Sequence, residues 1–458
     1  MGQTTLRQQI RELPLKARNF STLAFLAARI GPAEFARLYR RYPWMPMAAR
    51  IHGLMDHAMN YRACMGEAIH VLIQYVGSVL ATHVKNPENL VWHEELLTGE
   101  IPRAMGFTTF MTESLGLIFP LLDRNAGVAC VDRTENAGFP ADMCSFIKHS
   151  LGQVLGDELP RPRLILTTNS PCDSAMAGYV PIEKRLGVPV FRLDHPFDAN
   201  ERSLAYYARG LWKMIDFLET ETGRKMDFDR LREICEERNR ASEYLLEFRE
   251  LLRSRPAPIG GIMLTVSILG HQVLPGTKAT TRFCKYLRDE ARRRVAGKTG
   301  AVQDERIRVI LWNPPFLIDG GLFQWMEDTY GAVVVMDMLA YRSYSIIDTS
   351  SPESMIRGLA YDMMKGPMAR HTRGPAKNYY DDLIRLVEEY EADMVLVASH
   401  QGCKNALAVA GILRDLFRKR DIPLLDIHYD LVDPRVTSPE EIRNQVAHFM
   451  ETVMADAH

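Results

Sequence analysis

The sequence predicts an α/β protein: two Rossmann- or flavodoxin-like parallel-sheet domains, an N-terminal helical region and a helical segment between the two sheets. Three observations carry this. Short runs of apolar and β-branched residues recur at 164–168, 188–193, 309–312, 333–336, 394–398 and 424–427, each followed by loop residues and a helical pattern. Strands separated by helices imply parallel sheets with right-handed crossovers. The runs form two groups, divided by a charged helical stretch at 198–255. At 458 residues the chain also exceeds one ordinary core, so two or three domains are expected. The divisions read as 1–90, helical; 91–256, a first α/β domain with a helical insertion; and 257–458, a second α/β domain.

The bulk composition excludes several function classes. With 47% hydrophobic and 25% charged residues, the chain is that of a globular protein. A net charge of −1, with Lys and Arg dispersed, argues against a nucleic-acid surface. The most apolar long segment, 68–81, is interrupted by His70 and Gln74. It stays below the ~18 apolar residues of a membrane span, so no membrane contact is expected. Residues 1–30 lack a signal-peptide core. Seven widely spaced cysteines, an odd count, point to the reducing cytoplasm and to free or metal-bound thiols.

In chain order, Leu23, Phe25, Leu26, Ile30, Phe35 and Leu38 form a helix-spaced apolar set. The run 59–84 is apolar on more than one side and reads as a helix packed between other elements. Residues 131–133 precede a loop at 134–140, after which Asp142 is expected to cap a helix with Cys144 in its first turn. Beyond the 164–168 strand, Ser170 suits a helix cap, Pro171 the first helical position, and Asp173 a capping box. That places Cys172 in a first helical turn, where the helix terminus favours thiolate. Asp198 with Glu201 reads as a capping box and Asp227 as a cap, with Cys235 on an apolar helical stripe as a core thiol. Residues 254–258, SRPAP, read as a linker. At Ser399-His400-Gln401-Gly402-Cys403, glycine allows a tight turn and Cys403 again falls at a helix start. Gly297-Lys298-Thr299 mimics the end of a phosphate-binding loop, but Arg292 occupies the required glycine position and a charged helix precedes it.

Cys144, Cys172 and Cys403 thus share one setting: a strand or loop, a turn, the cysteine, then a helix. No C-x-x-C motif accompanies them. Two readings stand on the residues alone. One is a shared metal site where facing sheet edges converge; the other is three separate thiols at ligand-binding loops.

At this point the chain resembles the 2-hydroxyacyl-CoA dehydratase family, of the 2-hydroxyglutaryl-CoA dehydratase D-component type. That family also holds ATP-dependent benzoyl-CoA reductase subunits and double-cubane iron–sulfur proteins. The resemblance is carried by Glu135 through Cys144-Ser145, by Asn169-Ser170-Pro171-Cys172-Asp173, by His400-Gln401-Gly402-Cys403 and by the tail from Ile422 through Asp433-Pro434-Arg435. It spans about residues 90–458. It implies that Cys144, Cys172 and Cys403 bind one 4Fe–4S cluster, or part of a double cubane, with one iron left open. It further implies an acyl-CoA or aryl-CoA substrate, a shorter paralogous subunit and a separate ATP-hydrolysing iron–sulfur activator. The reaction so implied is dehydration of a 2-hydroxyacyl-CoA through a ketyl radical anion. Reduction of an aryl-CoA ring is the alternative, and a non-catalytic electron-transfer protein a further one. His400, Ser145 and Asp173 are the candidates beside the cysteines, each with a local structural reading as the rival. Glu135 reads either as a base near substrate or as a solvated loop acid. The N-terminal helical region is longer than in the commonest family pattern, which points to the larger of two paired subunits.

Overall fold

The computed structural model describes residues 17–455, apart from 20, 23, 26, 49, 98 and 342–344. Two four-stranded parallel sheets form its frame. The first contains β1 (Leu90–His93), β2 (Thr108–Met111), β3 (Leu164–Thr168) and β4 (Val190–Leu193), in the order β2-β1-β3-β4. The second contains β5 (Ile307–Trp312), β6 (Ala332–Asp337), β7 (Met394–His400) and β8 (Leu424–Tyr429), in the order β6-β5-β7-β8. Both have the flavodoxin-type winding, in which the strand order reverses beside the first strand. The central strands β3, β5 and β7 are buried throughout, which is why they read as continuous apolar runs.

Strands β1 and β2 lie outside the runs that the sequence pattern marks. Leu90-Val91-Trp92-His93 ends in a histidine and Thr108-Thr109-Phe110-Met111 begins with two threonines, so neither reads as a continuous apolar run. The stretch expected to enter a loop at 134 instead continues a helix, Val128–Asn136. Three caps also differ. Cys144 and Cys172 are themselves the N-caps of Ser145–Leu155 and Asp173–Leu186, and Asn200 caps Glu201–Thr222 through Ser203 N. Asp227 caps Phe228–Leu251, accepting from Arg230 N.

The N-terminal region is helical and belongs to the core. Arg62–Lys85 buries residues on every side, including Met65, Ile69, Leu72, Tyr75 and Val79. It packs on β1 and β2 and along Lys278–Ala296. It is long and apolar enough to cross a membrane by length and composition, yet most of it is buried inside the fold. Of the apolar set expected before it, Leu23 and Leu26 lie outside the described residues; Ile30 and Leu38 are buried and Phe25 is exposed. The helices between the sheets reach across: Phe228–Leu251 packs on Lys278–Ala296, and Glu201–Thr222 on Pro352–Lys365. One apolar cluster accordingly includes Trp92 and Ile165 of the first sheet and Val309 and Leu396 of the second. Cys235 and Cys284 are fully buried thiols within these helices.

Arg308 fastens the second sheet to this helical layer. Its buried guanidinium pairs with Glu305 at 2.8 Å and donates to the Tyr390, Ser254 and Leu252 carbonyls. Truncation leaves the Glu305 carboxylate without its cation, held only by the Ala257 amide, and takes the donor from three carbonyls. Arg308→Ala is expected to lose about 3–5 kcal/mol of stability in urea unfolding.

Candidate active site: a cleft between the two sheet edges

The carboxyl ends of the two sheets face one cleft of about 310 Å³. The chain leaves each strand and immediately contributes to its wall. Glu94 and Glu95 follow β1, Glu113 lies just beyond β2, and Pro171-Cys172-Asp173 follow β3. From the other sheet, Asn313-Pro314 follow β5, Met338-Leu339 follow β6 and Gly402-Cys403-Lys404 follow β7. Ligands in open parallel sheets bind outside these edges at the point of strand reversal. Here two such points share one cavity.

Cys144, Cys172 and Cys403 all line it. Each is the N-cap of the helix that follows, and none makes a side-chain capping bond. The backbones of the two halves approach closely here. A Cβ on Gly402 would stand 2.5 Å from the Cys144 Cα and 2.9 Å from its nitrogen, so only glycine admits the contact. Around it, Lys404 pairs with Asp142, Thr372 Oγ1 donates to the Pro171 carbonyl at 2.9 Å, and Arg373 Nε donates to the His195 carbonyl at 3.2 Å.

The thiols do not behave as isolated helix-start cysteines. Burial pushes the Cys172 thiol up to about 11, although the Ala175 and Ser174 amides pull the other way. Burial likewise raises Cys403, against the Ala406 and Asn405 amides. Cys144 rises well above its ordinary value, through burial first and then through the nearness of Cys172 and Cys403. The expected lowering by the helix terminus is therefore overturned, because desolvation of a thiolate outweighs two or three amide dipoles. Among the described residues, no three His, Cys, Asp or Glu side chains gather tightly enough for a single metal ion.

His400 ends β7, fully buried, with Nε2 3.3 Å from the Cys144 sulfur. The Leu431 amide donates to its Nδ1 at 3.3 Å, so the ring hydrogen sits on Nε2 and points at that sulfur. Burial lowers its pKa, while Asp430, 3.7 Å away, acts against that shift. Asp173 lines the cleft at the first helical position. Ser145 is buried beside Cys144, but it is not part of the wall and its hydroxyl finds no partner among the described residues. Glu135 sits in the last turn of Val128–Asn136, paired with Lys148 at 2.6 Å and outside the wall. Ser170 does not cap; its hydroxyl is buried without a partner among the described residues. Asn169 instead bridges strand ends, accepting from His195 N at 2.7 Å.

Sequence reasoning missed the acidic wall. Burial, then Glu113 and Glu95, hold the Glu94 carboxyl well above its usual range, and its Oε2 lacks a partner among the described residues. Burial, then Glu113, pushes Glu95 up to about 8. Glu113 stands at about 7, raised by burial and restrained by bonds from Tyr179 (2.6 Å) and Thr112 (3.0 Å). The available signal was positional: a carboxylate within two residues of a strand's carboxyl end. With β1 and β2 unrecognised, it could not be used.

Residues 99–453 match the family described as 2-hydroxyglutaryl-CoA dehydratase, D-component. The chain belongs to this family. It is 25% identical to a benzoyl-CoA reductase subunit of Thauera aromatica, over 70% of this chain and 78% of that one. It is 21% identical to the (R)-phenyllactyl-CoA dehydratase alpha subunit of Clostridium sporogenes, over 72% and 82% of the two chains. The alpha subunit of lactoyl-CoA dehydratase of Anaerotignum propionicum is also 21% identical, over 76% and 88%. The matched family region encloses the three cysteine turns and Glu113, whereas Glu94 and Glu95 precede it.

The Gly402–Cys144 contact makes a direct prediction. Gly402→Ala forces the two halves apart at the thiols and should lower the thermal midpoint by several degrees. Gly411→Ala, in the next helix, meets open space and should leave it unchanged or raise it.

Proposed function

We propose that this chain is the larger, cluster-bearing subunit of an ATP-activated radical enzyme acting on CoA thioesters. The favoured reaction is dehydration of a 2-hydroxyacyl-CoA. The observation that carries this reading is a cleft that sets three thiols and three carboxylates around one enclosed space. A 4Fe–4S cluster fits the donor set: its thiolates bind separate irons, so they surround a volume rather than a point. Cys144, Cys172 and Cys403 would hold it, leaving one iron without a protein thiolate. When bound, such a cluster supplies a low-potential one-electron centre.

The chain's own residues account for the remaining demands. His400 Nε2–H holds the Cys144 sulfur by a hydrogen bond, fixing its direction. Leu317, Met338 and Leu339 offer an apolar wall for an acyl group. Dehydration must take a hydrogen from the β-carbon as a proton and release the hydroxyl with a proton, one water leaving in total. Glu94, held protonated with a free Oε2, is placed to protonate the departing hydroxyl. Glu113, held near neutrality by two hydroxyl donors, is placed to accept the β-proton. Two carboxylates whose surroundings separate their proton affinities suit such a division.

Reduction of an aryl-CoA is the second reading, favoured by the likeness to a subunit of benzoyl-CoA reductase. In it the same carboxylates would deliver protons to the ring. A purely electron-relaying role leaves the enclosed carboxylates without a task. The partners in either case are a paralogous subunit, in keeping with relatives named as subunits, and a separate ATP-hydrolysing activator.

The deciding experiment incubates the activated complex with a 2-hydroxyacyl-CoA and, separately, with benzoyl-CoA. Water loss from the first supports dehydration; a dienoyl product from the second would replace that reading. Anaerobically purified protein should carry about four irons per chain. Cys144→Ala, Cys172→Ala and Cys403→Ala should each lose them, while Cys284→Ala keeps them at some cost in stability. Because the thiols are protonated at neutral pH, loading must release one proton per ligating thiol. Iron affinity should therefore rise with pH up to about 11, where the Cys172 thiol ionises without metal, read as proton release during anaerobic reconstitution in weak buffer. Glu94→Gln should leave iron content intact and lower turnover about 10²–10⁴-fold.

A further inference from the structure

Asn313 is the first residue after β5 and occupies, in the second sheet, the place Glu94 occupies after β1. Both belong to the cleft wall. Asn313 adopts φ +77°, a left-handed conformation that asparagine tolerates better than most side chains. A side chain held this way beside a binding cleft is a candidate for a functional constraint.

Its amide is oriented by a second buried group. The Tyr379 hydroxyl, 1% exposed, donates to Asn313 Oδ1. The Tyr379 ring is itself fixed edge-on against Trp312, with centroids 5.7 Å apart. With the oxygen occupied, Nδ2 is the free end of the amide. Asn313 is only 2% exposed, and Nδ2 has no acceptor among the described residues. A buried donor left unpaired by the protein needs a partner from the cleft contents. The opposite wall carries the acids Glu94, Glu95 and Glu113, which supply no cation to pair with an anionic ligand group, and a primary amide matches a neutral carbonyl.

We propose that Asn313 Nδ2–H donates a hydrogen bond to the thioester carbonyl oxygen of the acyl-CoA, with Tyr379 as its positioning residue. This rests on the CoA-thioester reading above. The bond strengthens as negative charge builds on that oxygen, so it contributes more to the reacting state than to binding.

The test uses the holoenzyme with its partner subunit, and a saturated acyl-CoA labelled with ¹³C at the thioester carbonyl and lacking the 2-hydroxyl. Bound without activator, it reports the carbonyl stretch by difference infrared spectroscopy, independently of turnover. Wild type should lower the stretch relative to free ligand. Asn313→Gly, which keeps the backbone angle, and Asn313→Ala, which likewise removes the donor, should both restore it. With the reactive substrate, Asn313→Gly should lower kcat about 10²-fold, with KM changed less than about tenfold. Tyr379→Phe should give a smaller loss and a broadened carbonyl band.

An unshifted stretch in wild type overturns the proposal, as does Asn313→Gly with wild-type stretch and turnover. Should both Asn313 variants lose their cluster or fold, the wild-type stretch and Tyr379→Phe still decide it. Wild-type holoenzyme that binds no acyl-CoA at all refutes the CoA-thioester reading, and this inference falls with it. Binding with an unshifted carbonyl refutes this inference alone.

Discussion

The close approach of Gly402 to the backbone of Cys144 is the contact on which the cleft depends. It joins a turn after β7 to a helix start lying between β2 and β3, and so brings the two sheet edges together. A methyl group in that space would separate them, and with them the thiols. The three cysteines are only part-exposed, because three helix starts converge there and the neighbouring chain excludes much of the water. Burial in turn shifts the three thiols, Glu94, Glu95, Glu113 and His400 toward their neutral forms.

The two sheets repeat one plan with different residues. In each, the strand order reverses beside the first strand. In each, the third strand leads through a short turn to a cysteine that starts a helix: Cys172 after β3, Cys403 after β7. After the first strand, one sheet presents Glu94 and the other Asn313. The third thiol, Cys144, breaks the symmetry, as it comes from an extra helix before β3. A pair of equivalent edges thereby becomes an asymmetric site, with carboxylates on one wall and an amide and apolar side chains on the other.

Much of this plan was legible because buried parallel strands read as continuous apolar runs. The 164–168 and 394–398 runs located Cys172 and Cys403 at sheet edges without any structure. The acidic wall was illegible for the complementary reason: β1 and β2 carry His93, Thr108 and Thr109 and do not read as apolar runs, and a carboxylate after an unrecognised strand looks like any surface acid. Glu135, read either as a base near substrate or as a solvated loop acid, lies in the last turn of Val128–Asn136, paired with Lys148 and outside the cleft wall. Ser170 had every local qualification for a cap, but the chain starts its helix two residues later, with Cys172 in the capping place.

Burial acts on the thiols and carboxylates of the cleft in the same direction, and the consequence differs for each. For both kinds of acid, removal from water favours the neutral form, so at rest the cleft wall holds protons. The proposed cluster would reverse the balance for the thiols alone, since metal–sulfur bonding favours the thiolate far more than desolvation opposes it. The carboxylates gain no such bond and keep their raised proton affinities. Glu94, without a donor on Oε2, keeps its proton more firmly than Glu113, which Tyr179 and Thr112 stabilise as an anion. With the proposed cluster in place, one low-dielectric space would hold deprotonated sulfur and protonated oxygen side by side, the iron taking the place of the thiol protons.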